Sequence, residues 1–276
     1  MGIGISGGDS MQALLRLPGM VLFEAGEGRV DFRVELDSPI DVIDAGWLHS
    51  FSIVDGNMEC RFGRLLDGRY VYRFGDEGCL LCPAPGRELN DPYRISTVLT
   101  PAVLRFALWL SVSMAAPRLG RMPVHSSVVV CDGRAVMCLG ESGTGKSTHT
   151  RLWLQHIHGT HLLNDDSPLL GVDSDGVYVY GSPWSGKTPC FRRERWPVAA
   201  LLRLEQKPEN TIRRLGIIES FTALQPSCPP CLMKDEPLQD MLVDYVGSVI
   251  SQVPAYRLGC LPDEAAARLS HKTIFG

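Results

Sequence analysis

The stretch that decides the fold is Gly140-Glu-Ser-Gly-Thr-Gly-Lys-Ser-Thr148, which matches the pattern G-x-x-x-x-G-K-[ST] in full. Glycines let a loop aim successive backbone N–H groups inward, and a following helix adds its positive N-terminal end. The motif becomes specific when a strand precedes it and a helix follows it. Here Arg134–Leu139 reads as a strand and Lys146–His156 as a helix. We therefore interpret the stretch as a phosphate-binding loop.

The loop supplies both a cation and hydroxyl groups to a bound nucleotide. Lys146 provides a point charge for the β- and γ-phosphates, and the hydroxyl of Ser147 can complete the ligand shell of Mg²⁺. We expect ATP and Mg²⁺ as cofactors. The residues that we expect to bind them in this loop are Gly140, Ser142, Gly143, Thr144, Gly145, Lys146, Ser147 and Thr148.

Two adjacent carboxylates, Asp165 and Asp166, come after the loop's helix and a short apolar strand at His161–Leu163. This order predicts that they stand at the carboxyl edge of the sheet, where open α/β sheets place their ligands. One carboxylate can hold Mg²⁺, and the other can accept the proton of an attacking hydroxyl. The run Asn-Asp-Asp-Ser-Pro also has turn chemistry, so a solvated turn is the structural alternative.

Other polar residues near the motif have weaker assignments. His125 opens the strand before the hairpin turn and can lie near a catalytic carboxylate, although a lone histidine there is more often structural. Lys187 lies in a loop rich in turn formers, and Arg192 and Arg193 follow it, so this cationic segment can neutralise charge that develops during phosphoryl transfer. Trp184 either stacks on a base or fills the core.

The remaining histidines of this region, His149, His156, His158 and His161, fall mostly on one helix and its exit. We assign them to packing or solvent rather than to a metal site.

The first part of the chain has a different character. Alternating apolar and polar residues predict strands at Met20–Phe23, Val30–Leu36, Trp47–Val54 and Tyr70–Phe74. Asp55-Gly56 and Asp67-Gly68 are turn signals between them. Pro83–Pro92 is a candidate linker, and a helix is expected from about Thr100 to Ala116 with Pro101 in its first turn.

After this helix, His125–Cys131 and Arg134–Leu139 predict a β-hairpin around Asp132-Gly133, and Glu236–Ile250 predicts a packing helix. We therefore expect two parts: a small β-rich module at 1–95 and an α/β domain at 96–276.

Composition narrows the class of protein. The 276 residues are 45% hydrophobic and 21% charged, as in an ordinary folded domain, and the net charge of −4 gives no basic excess for nucleic acid. No signal segment is visible at the start, and the apolar stretch Phe106–Ala116 is short for a membrane span. We expect a cytoplasmic protein without nucleic-acid or membrane partners, and an oligomer is compatible with the sequence.

Nine cysteines are spread along the chain, and two pairs, Cys79 with Cys82 and Cys228 with Cys231, have Cys-x-x-Cys spacing. Four such thiolates can bind zinc. Reduced core cysteines are the more common case in a cytosolic protein, and we favour that interpretation.

Taken together, His125, the loop Gly140–Ser147 and the run Asn164-Asp-Asp166 resemble the catalytic domain of HPr kinase/phosphorylase and, more distantly, ATP-dependent phosphoenolpyruvate carboxykinase. The resemblance implies a mixed-sheet P-loop kinase domain behind a small N-terminal β-rich module. It covers about residues 120–206. The stretch Gly181–Lys187 looks like that of uncharacterised HPr-kinase-like proteins, some of them associated with peptide-modifying gene clusters.

The resemblance also implies roles for single residues. Lys146 and the loop amides would bind the triphosphate, and Ser147 and Asp166 would hold Mg²⁺. Asp165 would be the general base, with His125 beside it. The chain departs from the family because the glycine- and isoleucine-rich signature after the acidic pair is absent, as is a recognisable arginine-bearing C-terminal loop. We therefore expect a divergent member and not a true HPr kinase.

The sequence thus predicts an ATP- and Mg²⁺-dependent kinase that phosphorylates a serine-like hydroxyl of a peptide, a protein or a small molecule. A non-catalytic ATP sensor and an ATPase coupled to peptide handling are alternatives. A carboxykinase ranks last, because few candidate cations are present to bind a small acid.

Overall fold

The computed structural model describes the chain in eight segments: residues 1–24, 28–41, 44–53, 58–76, 78–87, 91–96, 100–186 and 188–276. These residues form two compact units. Unit 1 combines Met1–Leu119 with Pro230–Met241, and unit 2 combines Gly120–Pro229 with Leu242–Gly276. The boundary expected between residues 95 and 96 therefore lies inside unit 1.

Unit 1 is built on one mixed sheet of seven strands in the order β1-β2-β7-β6-β5-β4-β3. The pairs β1/β2 and β2/β7 are parallel and the others are antiparallel. The strands are β1 (Ile3–Ser6), β2 (Phe32–Glu35), β3 (Gly46–Ile53), β4 (Met58–Arg64), β5 (Tyr70–Phe74), β6 (Gly78–Cys82) and β7 (Tyr93–Ile95). The unit also contains helices α1 (Asp9–Leu15) and α2 (Pro101–Ala115).

Most of the strands predicted in this unit are confirmed, but the one expected at Met20–Phe23 is wrong. Val21–Phe23 is a 3-10 turn in which Phe23 N–H donates to the Met20 carbonyl. Val21 and Leu22 are more than half exposed, so the apolar run has neither a partner strand nor a core to face. The turn at Gly68, with a φ of 85°, joins β4 to β5 as expected.

Two further expectations concern the connections in unit 1. The Asp55-Gly56 turn lies outside the described residues. The candidate linker Pro83–Pro92 is not a boundary between units, because it joins the neighbouring strands β6 and β7 of one sheet.

Helix α2 begins at Pro101, as the sequence predicts. Thr100 caps it, because its hydroxyl accepts a hydrogen bond from Val103 N–H at 3.3 Å. With the 3-10 turn that follows, the helical segment spans Pro101–Leu119 and is long and apolar enough to cross a membrane. However, 67% of the apolar window is buried within the protein, which is typical of a core helix.

Unit 2 contains the predicted loop. Its strands are β8 (Arg121–Pro123), β9 (Ser126–Cys131), β10 (Arg134–Leu139), β11 (His161–Asp166), β12 (Leu169–Asp173), β13 (Gly176–Tyr180), β14 (Arg195–Gln206), β15 (Thr211–Arg214) and β16 (Ala255–Cys260). Its helices are α3 (Lys146–His156), α4 (Ile217–Leu224) and α6 (Glu264–Phe275), and α5 (Glu236–Ile250) has residues in both units.

These nine strands form a second mixed sheet. Strand β14 lies parallel to β10 and to β16, whereas β9 is antiparallel to β10 and to β11. Helix α3 packs on this sheet around Trp153, which is fully buried in a core cluster with residues such as Val129 and Leu202. A mixed α/β class, with two mixed sheets, is therefore confirmed.

The order of strands explains how the loop and the acidic pair come together. Strand β11 is not beside β10, because β9 lies between them and runs antiparallel to both. Leu139 of β10 and Asp166 of β11 are both opposite Ser126 of β9. The carboxyl ends of β10 and β11 therefore meet at one edge of the sheet, which places Gly140 near the two aspartates.

Candidate functional site

The glycine loop leaves the carboxyl end of β10 and enters α3 at Lys146. Gly140 cannot be replaced without strain, because a Cβ atom there would lie 2.4 Å from Thr144 Oγ1. Gly145, immediately before the helix, has a φ of 100°, in the region that favours glycine. Thr144 Oγ1 donates to the Glu141 carbonyl at 2.8 Å, and Gln206 donates to the Gly143 carbonyl at 3.1 Å. A hydrogen bond within the loop and another from β14 therefore fix the curved conformation of the loop.

Lys146 lies inside this curve and is only 9% exposed. Its ammonium group donates to the carbonyls of Gly140 at 2.8 Å and Glu141 at 3.0 Å, and contacts His125 Nε2 at 2.9 Å. Burial lowers the pKa of Lys146, and the Arg203 guanidinium acts in the same direction, whereas the carboxylate of Asp166 opposes both. The loop therefore presents a partly desolvated cation, which binds an anion more strongly than a solvated one does.

His125 connects this cation to the acidic pair. Its Nδ1 atom lies 3.4 Å from Asp166 Oδ1. Because an ammonium group carries donors only, Nε2 must accept from Lys146, and the ring proton of a neutral His125 is then on Nδ1, facing Asp166. The contact partner of His125 among the aspartates is thus Asp166. The backbone N–H of His125 is fixed by the Ser227 carbonyl at 2.7 Å.

Asp165 is the more buried of the two aspartates, with 6% of its surface exposed. Its Oδ1 atom is buried and has no hydrogen-bond partner among the described residues. A buried carboxylate oxygen without a partner is costly unless a cation or a hydroxyl proton satisfies it. The orphaned oxygen is thus suited to accept a proton, whereas the carboxylate of Asp166 and the hydroxyl of Ser147 in the first turn of α3 are hard oxygen donors of the kind that suits Mg²⁺.

Asn164 positions the acidic pair, a role that the sequence analysis missed. The side chain is fully buried, and its Oδ1 atom accepts from the backbone N–H groups of Asp166 at 3.0 Å and Ser167 at 3.1 Å. Its Nδ2 atom donates to the Trp184 carbonyl at 3.0 Å and contacts Ser182. Asn164 therefore clamps the turn after β11 to the segment that follows β13. In the sequence, the signal for this clamp is the asparagine that stands directly before the two aspartates.

The downstream segment contacts the aspartates through its backbone. Gly186 N–H donates to the Asp165 carbonyl at 3.1 Å. Ser185 and Asp166 form an isolated antiparallel β-bridge. Trp184 is 8% exposed, so it fills the interior rather than offering a stacking surface. Arg192 pairs with Glu194 at 3.3 Å. Lys187 lies outside the described residues.

The other loop residues and histidines differ in their surroundings. Ser142 and Thr148 are exposed, and Gly143 lies at the exposed tip of the loop. His149 is buried and bonded to Trp153 and Ser270, and burial lowers its pKa to about 4. His156 and His161 pair with Glu264 and Glu194.

Comparisons with known proteins add one finding. No protein-family model matches the chain, and no curated protein matches it. Among solved structures, the Hpr(Ser) kinase/phosphatase from Coxiella burnetii is similar, with 15% sequence identity and a TM-score of 0.32. The match covers 56% of this chain and 99% of that one. A similarity at this level carries no conclusion about activity.

Proposed function

We propose that unit 2 binds ATP with Mg²⁺ and transfers the γ-phosphate to a hydroxyl group. The observation that carries this proposal is the chain of contacts from Lys146 Nζ through His125 to Asp166, at 2.9 and 3.4 Å. It joins the phosphate-binding loop to the acidic pair at one edge of the sheet. A loop that only binds an anion does not require a buried carboxylate such as Asp165 beside it, because burying that charge costs free energy.

Each residue has a defined part in this mechanism. The loop amides and Lys146 bind and orient the triphosphate, and the same cation neutralises charge on the transferred group. Asp165 accepts the proton of the acceptor hydroxyl through its orphaned oxygen as that hydroxyl attacks phosphorus. A new bond forms between the acceptor oxygen and phosphorus, the bond between phosphorus and the ADP oxygen breaks, and ADP leaves. His125 keeps Asp166 in place.

Ser147 and Asp166 would hold the metal ion. Bound Mg²⁺ would supply positive charge against the phosphate oxygens. The acceptor is a hydroxyl of a peptide, a protein or a small molecule.

The test follows the γ-phosphate of labelled ATP in the presence of Mg²⁺, candidate peptides and cell extract. We expect a labelled hydroxyl acceptor with the wild type, and a loss of at least about a hundredfold with Lys146→Ala and with Asp165→Asn. The matched controls are Lys272→Ala and Asp175→Asn, which change an exposed lysine and an aspartate of the β12–β13 turn. They should behave as the wild type.

Two outcomes would replace the proposal. If ATP binds, no acceptor is labelled and Asp165→Asn changes nothing, the protein is an ATP sensor. If the label appears only as inorganic phosphate, the protein is an ATPase.

A further inference from the structure

A second cluster of polar side chains lies at the other end of the β9–β10 hairpin. Among the described residues, the single group of three or more potential metal ligands in close proximity is Cys131, Asp132 and His271. Their ligand atoms all lie within 4.8 Å of one another. The six residues of β10 separate this cluster from Gly140, which corresponds to about 20 Å at 3.3 Å per residue. It is therefore distinct from the ATP site proposed above.

The turn itself brings the first two ligands together. Asp132 has a φ of 49° and Gly133 a φ of 71°, as in a type I′ hairpin turn. This left-handed conformation brings the Asp132 carboxylate back toward the thiol of Cys131, so that their ligand atoms lie within 4.8 Å of each other. Two ligands of different types thus converge from adjacent residues, which an extended strand does not allow because successive side chains alternate.

The third ligand comes from α6 and is held in a fixed orientation. His271 Nε2 lies 3.8 Å from Cys131 Sγ. The imidazole stacks on Phe275 at 5.3 Å and meets Trp153 edge-on at 5.5 Å. Both rings restrict its rotation, so Nε2 faces the sulfur without any rearrangement of the helix.

We propose that Cys131, Asp132 and His271 form a Zn²⁺ site, with water as the fourth ligand. A thiolate with an imidazole and a carboxylate selects zinc over magnesium or calcium, which prefer oxygen ligands. Tetrahedral zinc, with bonds of about 2.3 Å to sulfur and about 2.0 Å to nitrogen, needs a sulfur–nitrogen separation of about 3.5 Å. The observed 3.8 Å requires only a small side-chain rotation.

Exposure of the cluster supports an entry path for the ion. Cys131 is buried, His271 is half-buried and Asp132 is exposed, so the carboxylate faces solvent and the sulfur lies behind it. Binding converts the Cys131 thiol to a thiolate and releases its proton to solvent. The bound ion would tie the hairpin turn to the last helix of the chain.

The first measurement is metal binding to the full chain, with Zn²⁺ followed by calorimetry and Co²⁺ by absorption. We expect one equivalent per chain, a thiolate-to-cobalt charge-transfer band and a higher Tm with Zn²⁺. Cys131→Ala and His271→Asn should each weaken Zn²⁺ binding by at least about a hundredfold. Losing an outer partner of a ligand already lowers metal affinity by about 10- to 100-fold, and losing the ligand itself lowers it further. Cys131→Ala should also abolish the charge-transfer band.

Control variants separate this site from general metal affinity. Cys260→Ala and His158→Gln change a half-buried cysteine and an exposed histidine elsewhere in unit 2, and they should bind Zn²⁺ as the wild type does. Because His271 is only half-buried, His271→Asn remains informative even if Cys131→Ala does not fold. The proposal is overturned if the wild type takes up no Zn²⁺, or if the folded His271→Asn protein binds it with unchanged affinity.

Discussion

The ammonium group of Lys146 and the imidazole of His125 are in direct contact, with 2.9 Å between Nζ and Nε2. The lysine lies at the start of α3 and the histidine directly before β9, so a helix and a neighbouring strand each contribute one partner. His125 also contacts Asp166. The histidine is therefore the link through which the loop and the acidic pair keep a fixed separation.

This link predicts the effect of His125→Gln. We expect kcat for phosphoryl transfer to fall by about 10- to 100-fold, the range for losing an outer partner of a ligand, while the Kd for ATP changes little. The reason is that Asp166 loses its orienting partner but Lys146 keeps its bonds to the loop carbonyls. Steady-state kinetics together with equilibrium ATP binding measure the two effects separately. His158→Gln is the control, and an unchanged kcat would show that His125 is only structural.

The loop predicts a second effect, at Gly140. In Gly140→Ala the new Cβ would lie 2.4 Å from Thr144 Oγ1, so the loop backbone must change its conformation. The backbone N–H groups of the loop then no longer point toward one phosphate. We expect ATP affinity to fall by about 5- to 150-fold, because strain of this kind costs about 1–3 kcal/mol. Isothermal calorimetry measures the change. Gly216→Ala, where a Cβ meets nothing within 4 Å, should bind ATP normally. Equal affinity of both variants would contradict the role given to the loop's shape.

The sequence was sufficient to predict the hairpin and the loop's helix, because these depend on local signals. Asp132-Gly133 specifies the turn, and the glycine loop specifies where α3 begins at Lys146. The sequence was not sufficient to predict which strands pair when they are distant along the chain. Strand β1 pairs parallel with β2, and β14 extends over Arg195–Gln206 with neighbours on both sides, which no local periodicity reveals.

The strand that carries the acidic pair could likewise be predicted only in part from local sequence. A strand at His161–Leu163 was predicted, but β11 continues to Asp166 and includes the buried polar run Asn164-Asp165. Apolar periodicity ends where these polar residues begin, so the sequence alone predicts a strand that is shorter than β11. Only the ladder with β9 and the hydrogen bonds of Asn164 show that the run is part of the sheet.

Asn164→Ala provides a third prediction. Loss of the side chain leaves the backbone N–H groups of Asp166 and Ser167 and the carbonyl of Trp184 without their partner. We expect a stability loss of about 2–3 kcal/mol from these buried groups and a lower kcat, because the acidic pair is no longer clamped.

Asn210→Ala is the matched control for the clamp. Asn210 also bridges two segments, since it donates to Asp263 at 2.9 Å and accepts from Leu261 N–H at 2.8 Å. This variant should lose stability but keep its kcat. Urea unfolding and phosphoryl-transfer rates measured on both proteins test the difference, and a normal kcat in Asn164→Ala would remove the positioning role.

The buried His149 predicts a dependence of stability on pH. Burial lowers its pKa to about 4 from an ordinary value of 6.5, so between these pH values the unfolded chain binds more protons than the folded one. The stability that neutral His149 contributes is therefore present above pH 6.5 and is lost as the pH falls toward 4. Between pH 7 and pH 5 this amounts to about 2 kcal/mol.

His149→Gln isolates this contribution from all other titrating groups. We expect the variant to be less stable at pH 7, because the bond from Trp153 Nε1 at 3.1 Å is disturbed, yet to lose less free energy of unfolding than the wild type between pH 7 and pH 5. Urea unfolding followed by tryptophan fluorescence at the two pH values gives the comparison, with His158→Gln as the exposed control. Equal losses in wild type and His149→Gln would mean that another group causes the acid sensitivity, since a glutamine cannot take up a proton in this range.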